Sequence, residues 1–524
     1  MPPEAVRAAG GPLTYWVKPW RYGAARLRLC PRSWDHRGGA PRDFAAISEA
    51  GLTMMRVALV YAPIDDDYYT DGVNDSLPLG LLALYNHAVR TEQLDVDVDI
   101  FDGEYWSVEE ISARLPEYDM LCVQSMMASY RNTLVLLERA KQAGLFTVLG
   151  GHHATQLFRE ILTHRHHVLD CVVRGDGEYA FADLLRRRPL GEIPGVAHVE
   201  GGQVRVNPVR PFPINDNLLT DVEDRFLEQY RRPPVRATRL ERLHPLTSVR
   251  AFSHKGCSNR FNSQYCFFCG RADKDVRFKS PENYVGELER LFAMPGVRYV
   301  FEIGDDFLQD HGWLAAVAGR YEERLTGSPV QLKIFARANR VVPEVLPHLR
   351  RMNVTEVAIG FESGSDDVLK RISKRSTTAD NMNAARLLFD SGIDTVASYV
   401  LGLPGETDET LEQTYDQASR IRDLALRHLG RPPQEIIANI IEVNPGAPAF
   451  TRLRRAFPNR YAGRDDLDVK QTQDDYFRCV FELAGDQEVA CFRRRLVSAG
   501  SRINALGTYS YRAGWTKEDV VDAR

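Results

Sequence analysis

The chemistry this chain can offer starts at three cysteines. Cys257, Cys266 and Cys269 are spaced C-x8-C-x2-C and follow the mostly apolar run Val249 to Phe252, which reads as a short strand. A loop at the C-terminal end of a strand is well placed to hold a metal centre. Structural zinc takes four protein ligands, and no further cysteine follows for about two hundred residues. Three thiolates suit an iron-sulfur cluster that leaves one iron open. The alternative is three free or buried thiols packed as small hydrophobes, for which the intervening Asn, Arg, Ser and Gln make a poor setting.

With these residues in view, the loop resembles the cluster motif of radical SAM enzymes. Those enzymes hold a [4Fe-4S] cluster on three cysteines and let S-adenosylmethionine (SAM) chelate the fourth iron. Their usual spacing is C-x3-C-x2-C, so five extra residues separate Cys257 from Cys266 here. Phe268, just before the third cysteine, keeps the family's aromatic and is expected beside the adenine. Further on, Gly304-Asp305-Asp306 stands where the family's Gly-Gly-Glu meets the methionyl amino group. Gly360-Phe361-Glu362-Ser363-Gly364 resembles the fourth-strand motif near the ribose and methionine. Gly402-Leu403-Pro404-Gly405-Glu406-Thr407 resembles the fifth-strand motif that supports the SAM site. SAM carries a sulfonium, an ammonium and a carboxylate, so acidic groups with Arg337 can complement all three. Each carboxylate taken alone could equally be a helix cap or an ion-pair partner, and Asp366 and Asp380 are read as turn or cap residues.

A second set of motifs precedes the cysteines. Pro78-Leu79-Gly80 opens a helix, Gln124-Ser125 ends a strand, and Gly150-Gly151-His152-His153-Ala154-Thr155 and Arg174-Gly175-Asp176-Gly177-Glu178 follow two others. The glycine pair lets backbone approach a large planar ligand closely. The dinucleotide fingerprint G-x-G-x-x-G is missing after the first strand. The order of these motifs looks like the cobalamin-binding domain fused to many radical SAM enzymes, with Pro78, Leu79, Ser125, Gly150, Gly151, His152, Gly175 and Glu178 toward the cofactor. D-x-H-x-x-G, which supplies an axial His in related domains, is absent. The resemblance therefore implies a displaced cobalamin base with no protein His in its place, and His152 and His153 as loop residues near the corrin. A degenerate domain that keeps the shape and binds nothing is the alternative.

These residues need elements to position them. Val57 to Tyr61, Val96 to Phe101, Met120 to Val123, Thr147 to Leu149 and Cys171 to Val173 alternate with helix-length segments, which predicts a doubly wound parallel sheet over residues 55–190. Ligands of such sheets lie beyond the strand C-termini. Residues 191–245 are rich in proline and read as a linker, with a small hairpin from Val196 to Val206 turning at Glu200-Gly201-Gly202. Over 246–450, Val249 to Phe252, Val297 to Ile303, Val330 to Ala336, Glu356 to Phe361, Thr395 to Leu401 and Ile436 to Val443 predict six parallel strands of a partial (β/α)6 barrel with its site at their C-termini. Residues 451–524 read as a helical cap built on Asp474 to Leu483 and Val489 to Ile503, with Cys479 and Cys491 as core thiols. The aromatic stretch Tyr509 to Trp515 could close over substrate or simply pack. Residues 1–54, punctuated by Pro and Gly, read as a disordered or loosely attached tail.

At 524 residues the chain exceeds one ordinary core. Apolar content of 44% and charged content of 26% are those of a soluble globular protein. The net charge of −4 gives no argument for nucleic acid or an acidic membrane surface. With no apolar run long enough to span a bilayer and no secretory core, a cytoplasmic location is expected, and eight scattered cysteines build no disulfide framework. The resemblance implies reductive cleavage of SAM to a 5′-deoxyadenosyl radical, with electrons from an external flavodoxin or ferredoxin type of donor. Cobalamin points to C-methylation of an unactivated carbon in a natural product, peptide or other metabolite. A mutase, cyclase or ring-contracting enzyme with the same cofactors, and a non-catalytic cobalamin sensor or chaperone, remain as alternatives.

Overall fold

In the computed structural model, which describes residues 54–65, 77–216, 222–235, 247–260, 265–273 and 275–508, the five short apolar runs near the start of the chain all form strands. Met55–Tyr61 (β1), Val96–Asp102 (β2), Met120–Gln124 (β3), Phe146–Gly150 (β4) and Cys171–Val173 (β5) pair in parallel in the order β2-β1-β3-β4-β5. This order puts the topological switch between β1 and β3, where ligands of open sheets bind. The intervening helices are Leu79–Tyr85 (α1), Val108–Arg114 (α2), Tyr130–Gln142 (α3), His152–Arg165 (α4) and Glu178–Leu185 (α5). Within this layer α1 packs on α5 and α2 on α3.

The hairpin Val196–Glu200 (β6) and Gln203–Val206 (β7) does more than the sequence suggests. β6 pairs antiparallel with β5, so the hairpin extends the sheet to seven strands. Gly201 and Gly202 both have positive φ, 57° and 76°, as the tight turn requires. The following connector, with the short helix Asp224–Leu227 (α6), is pinned to the end of β2. There Gln229 accepts the Asp102 amide at 2.9 Å and the Tyr230 hydroxyl donates to Asp102 at 3.0 Å.

The second sheet is Ser248–Ala251 (β8), with a two-residue ladder of His254–Lys255 (β9) and Arg277–Phe278 (β10) beyond it, then Tyr299–Glu302 (β11), Gln331–Ala336 (β12), Val354–Glu362 (β13), Asp394–Leu401 (β14) and Ile436–Ile440 (β15). β8 and β11 to β15 pair in parallel with each strand beside its predecessor, so the six curl as an open barrel with β8 and β15 at its edges. Pro281–Ala293 (α7), His311–Leu325 (α8), Leu346–Arg351 (α9), Asp366–Arg371 (α10), Thr378–Asp390 (α11) and Asp408–Leu429 (α12) connect them. Caps are local: Thr377 and Asp380 form a capping box on α11, and Asp366 accepts the Thr378 amide at 2.7 Å.

The chain ends in Pro448–Ala456 (α13), Pro458–Tyr461 (α14), Val469–Phe481 (α15) and Asp486–Asn504 (α16). Asn504 accepts the Ala438 amide at 2.7 Å, so α16 satisfies part of the exposed edge of β15. Cys491 is exposed and Cys479 half-buried. Neither is the core thiol expected: Cys491 falls on the outward side of α16, and Cys479, on the inner face of α15, sits near the helix end where cover is partial. The expectations for residues 1–53 and for Tyr509 to Trp515 lie outside the described residues.

A buried polar knot ties the C-terminal segment to the first sheet. Asp465 accepts from Tyr130 at 2.7 Å and Arg165 at 2.6 Å, and burial, which raises its pKa, is outweighed by those donors so that it stays below the usual range. His153 Nε2 lies 3.1 Å from the Asp465 carbonyl. A carbonyl only accepts, so Nε2 carries the proton. Burial pushes His153 down to about 4 from its ordinary 6.5. Its contribution to stability is therefore complete above 6.5 and is lost as pH falls toward 4. His153→Phe should flatten that limb of a stability against pH curve measured by urea unfolding. An unchanged acid slope would show that the knot does not report through His153.

Candidate active site between the two sheets

The cysteine loop is fastened at its base. Gly256 has φ 88° and passes so close to Asp275 that a Cβ would lie 1.9 Å from the Asp275 carbonyl oxygen, so only glycine fits before Cys257. Gln309 then bonds the loop twice, accepting the Ser258 amide at 2.8 Å and donating to the Gly256 carbonyl at 3.1 Å. Three side-chain N–H groups converge on the thiols: Asn259 on Cys266 at 3.1 Å, Arg260 on Cys269 at 3.6 Å and Arg337 on Cys266 at 3.9 Å. Burial raises the thiols of Cys257 and Cys269, and Cys266 acts electrostatically on both. Among the described residues no three His, Cys, Asp or Glu side chains close on a point as a single metal ion demands. A cluster that offers each cysteine its own iron fits this donor set, with N–H groups ready for thiolate sulfur.

A polar pole lies beside these sulfurs, at the strand C-termini. Asp306 is fully buried, its amide donates to His254 Nε2 at 3.1 Å, and its carboxylate accepts the Arg337 amide at 3.4 Å. Burial raises Asp306 to about 6 against the pull of Arg337 and Arg340. Arg337 also donates to the Lys374 carbonyl. The Lys374 ammonium pairs with Glu362 at 2.7 Å and stands 5.9 Å over the ring of Phe268. Glu362 has φ 63°, uncommon for a residue with a Cβ, where the register of β13 on β14 shifts. The structure thus brings Phe268, Asp306, Arg337 and Glu362 together and adds Lys374 and His254, which sequence reasoning missed. Asp305 points elsewhere, paired with Arg271 at 2.9 Å. Ser363 is turned to Thr414 of α12 at 3.4 Å, and Gly402 accepts from Tyr476 at 3.0 Å and is walled in by Phe477.

Between the two sheets is a cavity of about 380 Å³. Leu79, Gly150, Gly151, His152, Gly175 and Glu178 line one side, and Phe252, Ile303 and Arg271 the other. Gly151, at φ 94°, lets the backbone pass Ser125, whose carbonyl oxygen a Cβ would meet at 2.7 Å. Ser125 itself is buried against Thr133, and Pro78 sits at the start of α1; neither lines the cavity. His152 and His153 are not loop residues, because Gly151 is already the N-cap of α4. His152 faces the cavity, with burial and then Arg271 lowering its pKa, whereas His153 is committed to Asp465. Asp176 fixes the two walls: Lys255 pairs with it and Arg277 reaches it at 3.0 Å, both cations on the β9-β10 ladder. The glycine-walled, largely apolar space fits a flat organic cofactor or its heterocyclic arm.

Glu406 supports the turn after β14. Its carboxylate accepts the Gly402 amide, and burial, opposed by the Gly402 and Leu403 amides, lifts it to about 8 from 4.5. The folded chain holds this proton where the unfolded chain has released it. Its contribution is complete below 4.5 and lost as pH rises through 8. Glu406→Gln should flatten the fall of unfolding free energy between those values; the same slope in variant and parent would discount the assignment.

The geometry can now be set beside known proteins. The Radical SAM superfamily profile matches residues 253–418 and the B12 binding domain profile residues 74–185, together more than half of the chain. An uncharacterized methyltransferase of Pyrococcus horikoshii is 26% identical over 71% of this chain and 79% of its own length. The anaerobic magnesium-protoporphyrin IX monomethyl ester cyclase of Cereibacter sphaeroides is 26% identical over 60% of this chain, and only about half (52%) of that enzyme is covered. The solved cobalamin-dependent S-adenosylmethionine radical enzyme OxsB shares the fold, with a TM-score of 0.62 at 15% identity over 86% of this chain and 72% of its own. The doubly wound domain, the open barrel and both family matches agree: the chain is a radical SAM enzyme with a B12-binding domain, and a [4Fe-4S] cluster, SAM and cobalamin are its cofactors.

Proposed function

We propose that this enzyme is a C-methyltransferase acting on an unactivated carbon of a small molecule. The observation that carries the reading is the cavity whose walls come from both sheets, with Gly150, Gly151 and His152 facing Phe252, Ile303 and the residues just past Cys269. Cobalamin held there supplies a transferable methyl group, while the cluster and SAM supply hydrogen abstraction. Cys257, Cys266 and Cys269 would hold the cluster. Arg337 and Lys374 would meet the carboxylate of SAM, Asp306 and Glu362 its ammonium, and Phe268 its adenine. Arg271, paired with Asp305 at 2.9 Å, would keep the passage between cavity and pole electrostatically neutral. The similarity to a methyltransferase supports this reading. The similarity to a cyclase supports the second, a radical cyclase or rearrangement enzyme using the same site. An external one-electron donor of flavodoxin or ferredoxin type completes the proposal.

Replacing Cys257, Cys266 and Cys269 together by Ala should remove iron and cluster absorbance and leave cobalamin bound, because the cavity's floor belongs to the other sheet. Wild-type iron content in this variant would overturn the ligand assignment. To separate the two reactions, anaerobically reconstituted enzyme is given a reductant, methyl-deuterated SAM and a cell extract. Methylation predicts S-adenosylhomocysteine and 5′-deoxyadenosine in near-equal yield and deuterium in the product. A substrate-dependent rise in 5′-deoxyadenosine alone, with an unlabelled isomer, would favour rearrangement.

A further inference from the structure

The concave face of the open barrel carries an ordered set of side chains. Along β12, Leu332, Ile334 and Ala336 are buried under the helices, so Lys333 and Phe335 point the other way. Register extends that face across the sheet: Phe335 is opposite Ala358, and Ala358 opposite Val396. On the other side Ile303 bonds back to Ala251 and so falls beside Phe252. Across the first five strands the row therefore reads Phe252, Ile303, Phe335, Ala358, Val396, with no charged or hydrogen-bonding side chain, and on the sixth the register continues to Glu435, which Lys333 reaches at 3.9 Å.

The row is open at Phe335, while the small side chains of Ala358 and Val396 are buried beside it, 5% and 4% exposed. Phe335 lies on a strand with neighbours on both sides, yet 37% of its surface is exposed. Ala358, Val396 and Ile437 form an apolar cluster of their own, separate from the main core. Phe301 packs on Phe335 with centroids 4.9 Å apart. The row beneath is charged but matched: Lys333 pairs with Glu356, and Arg431 with Asp394 at 2.6 Å. Above it stand Arg337 and Glu362 of the polar pole. At one end, Phe252 and Ile303 also line the cavity between the sheets.

We propose that this belt receives an uncharged hydrocarbon part of the substrate, aliphatic or fused-ring, and holds it between the polar pole and the cavity. Five strands at roughly 4.8 Å spacing give the belt an arc of about 20 Å, enough for several rings or a long chain. A charged group laid there would lose its hydration and gain no partner, so the belt selects against charged metabolites and polar peptides. The inference rests on the methyltransferase reading only for what becomes of the bound carbon.

The test uses the reconstituted holoenzyme and the neutral fluorescent probe N-phenyl-1-naphthylamine. The parent protein and Phe335→Leu should bind the probe alike, and Phe335→Asp and Val396→Asp at least about tenfold more weakly. Iron and cobalamin content at parent levels serves as the folding control. Equal affinity in the Asp variants, or no binding by the parent, overturns the proposal. In a second arm, hexane-soluble and water-soluble fractions of a cell extract are incubated separately with methyl-deuterated SAM. Label in a hexane-soluble product supports the belt. Label only in a water-soluble product overturns it and leaves methylation standing. An unlabelled, rearranged hexane-soluble product supports the belt and overturns methylation.

Discussion

A buried carboxylate, Asp176, fastens the loop that opens α5 to the β9-β10 ladder beside the cysteines. Lys255 and Arg277 face each other across an antiparallel ladder, where like charges repel. Asp176, from the loop that opens α5, sits between them and also accepts the Phe212 amide at 3.0 Å. Burial alone would raise its pKa, yet the two cations and that amide hold it below the ordinary value, so it is a firm anion. Because Lys255 is two residues from Cys257, this contact sets how far the cysteine loop stands from the glycine floor of the cavity.

Around that anchor the site is layered by polarity. Paired charges close the bottom of the barrel, an apolar belt crosses its middle, and ion-paired carboxylates and cations ring its mouth beside the thiols. The order follows from what each layer can satisfy. Ion pairs at the mouth can exchange partners with a zwitterionic ligand, whereas buried charges at the bottom must be matched within the fold itself.

Much of this was legible in the sequence, for a physical reason. Strands with at least one buried face read as short apolar runs, and all eleven runs singled out are strands. The cysteines and the carboxylates at strand ends were legible because strand C-termini carry the site in both architectures. Contacts between distant positions were not. Nothing local in Lys374, His254 or Asp176 announces that they meet Glu362, Asp306 and Lys255. Ser125 and Gly402 looked like ligand contacts, yet Ser125 is buried against Thr133 and Gly402 is boxed in by Phe477, Ile441 and Leu496. The β6-β7 hairpin was legible as a hairpin, but its pairing with β5 is an edge contact that no alternation encodes.

The independent anchoring of the cysteines has a consequence for how motif spacing is read. Cys257 is placed by Gly256, Gln309 and the β9-β10 ladder. Cys266 and Cys269 are placed by Phe267, whose amide donates to the Ile372 carbonyl and whose carbonyl accepts from Ala449, both at 3.0 Å. The two ends are separately tethered, so the length of chain between them is not a ruler for the gap between sulfurs. The fixed points around the loop are therefore a better guide to where the three sulfurs stand than the count of residues within it.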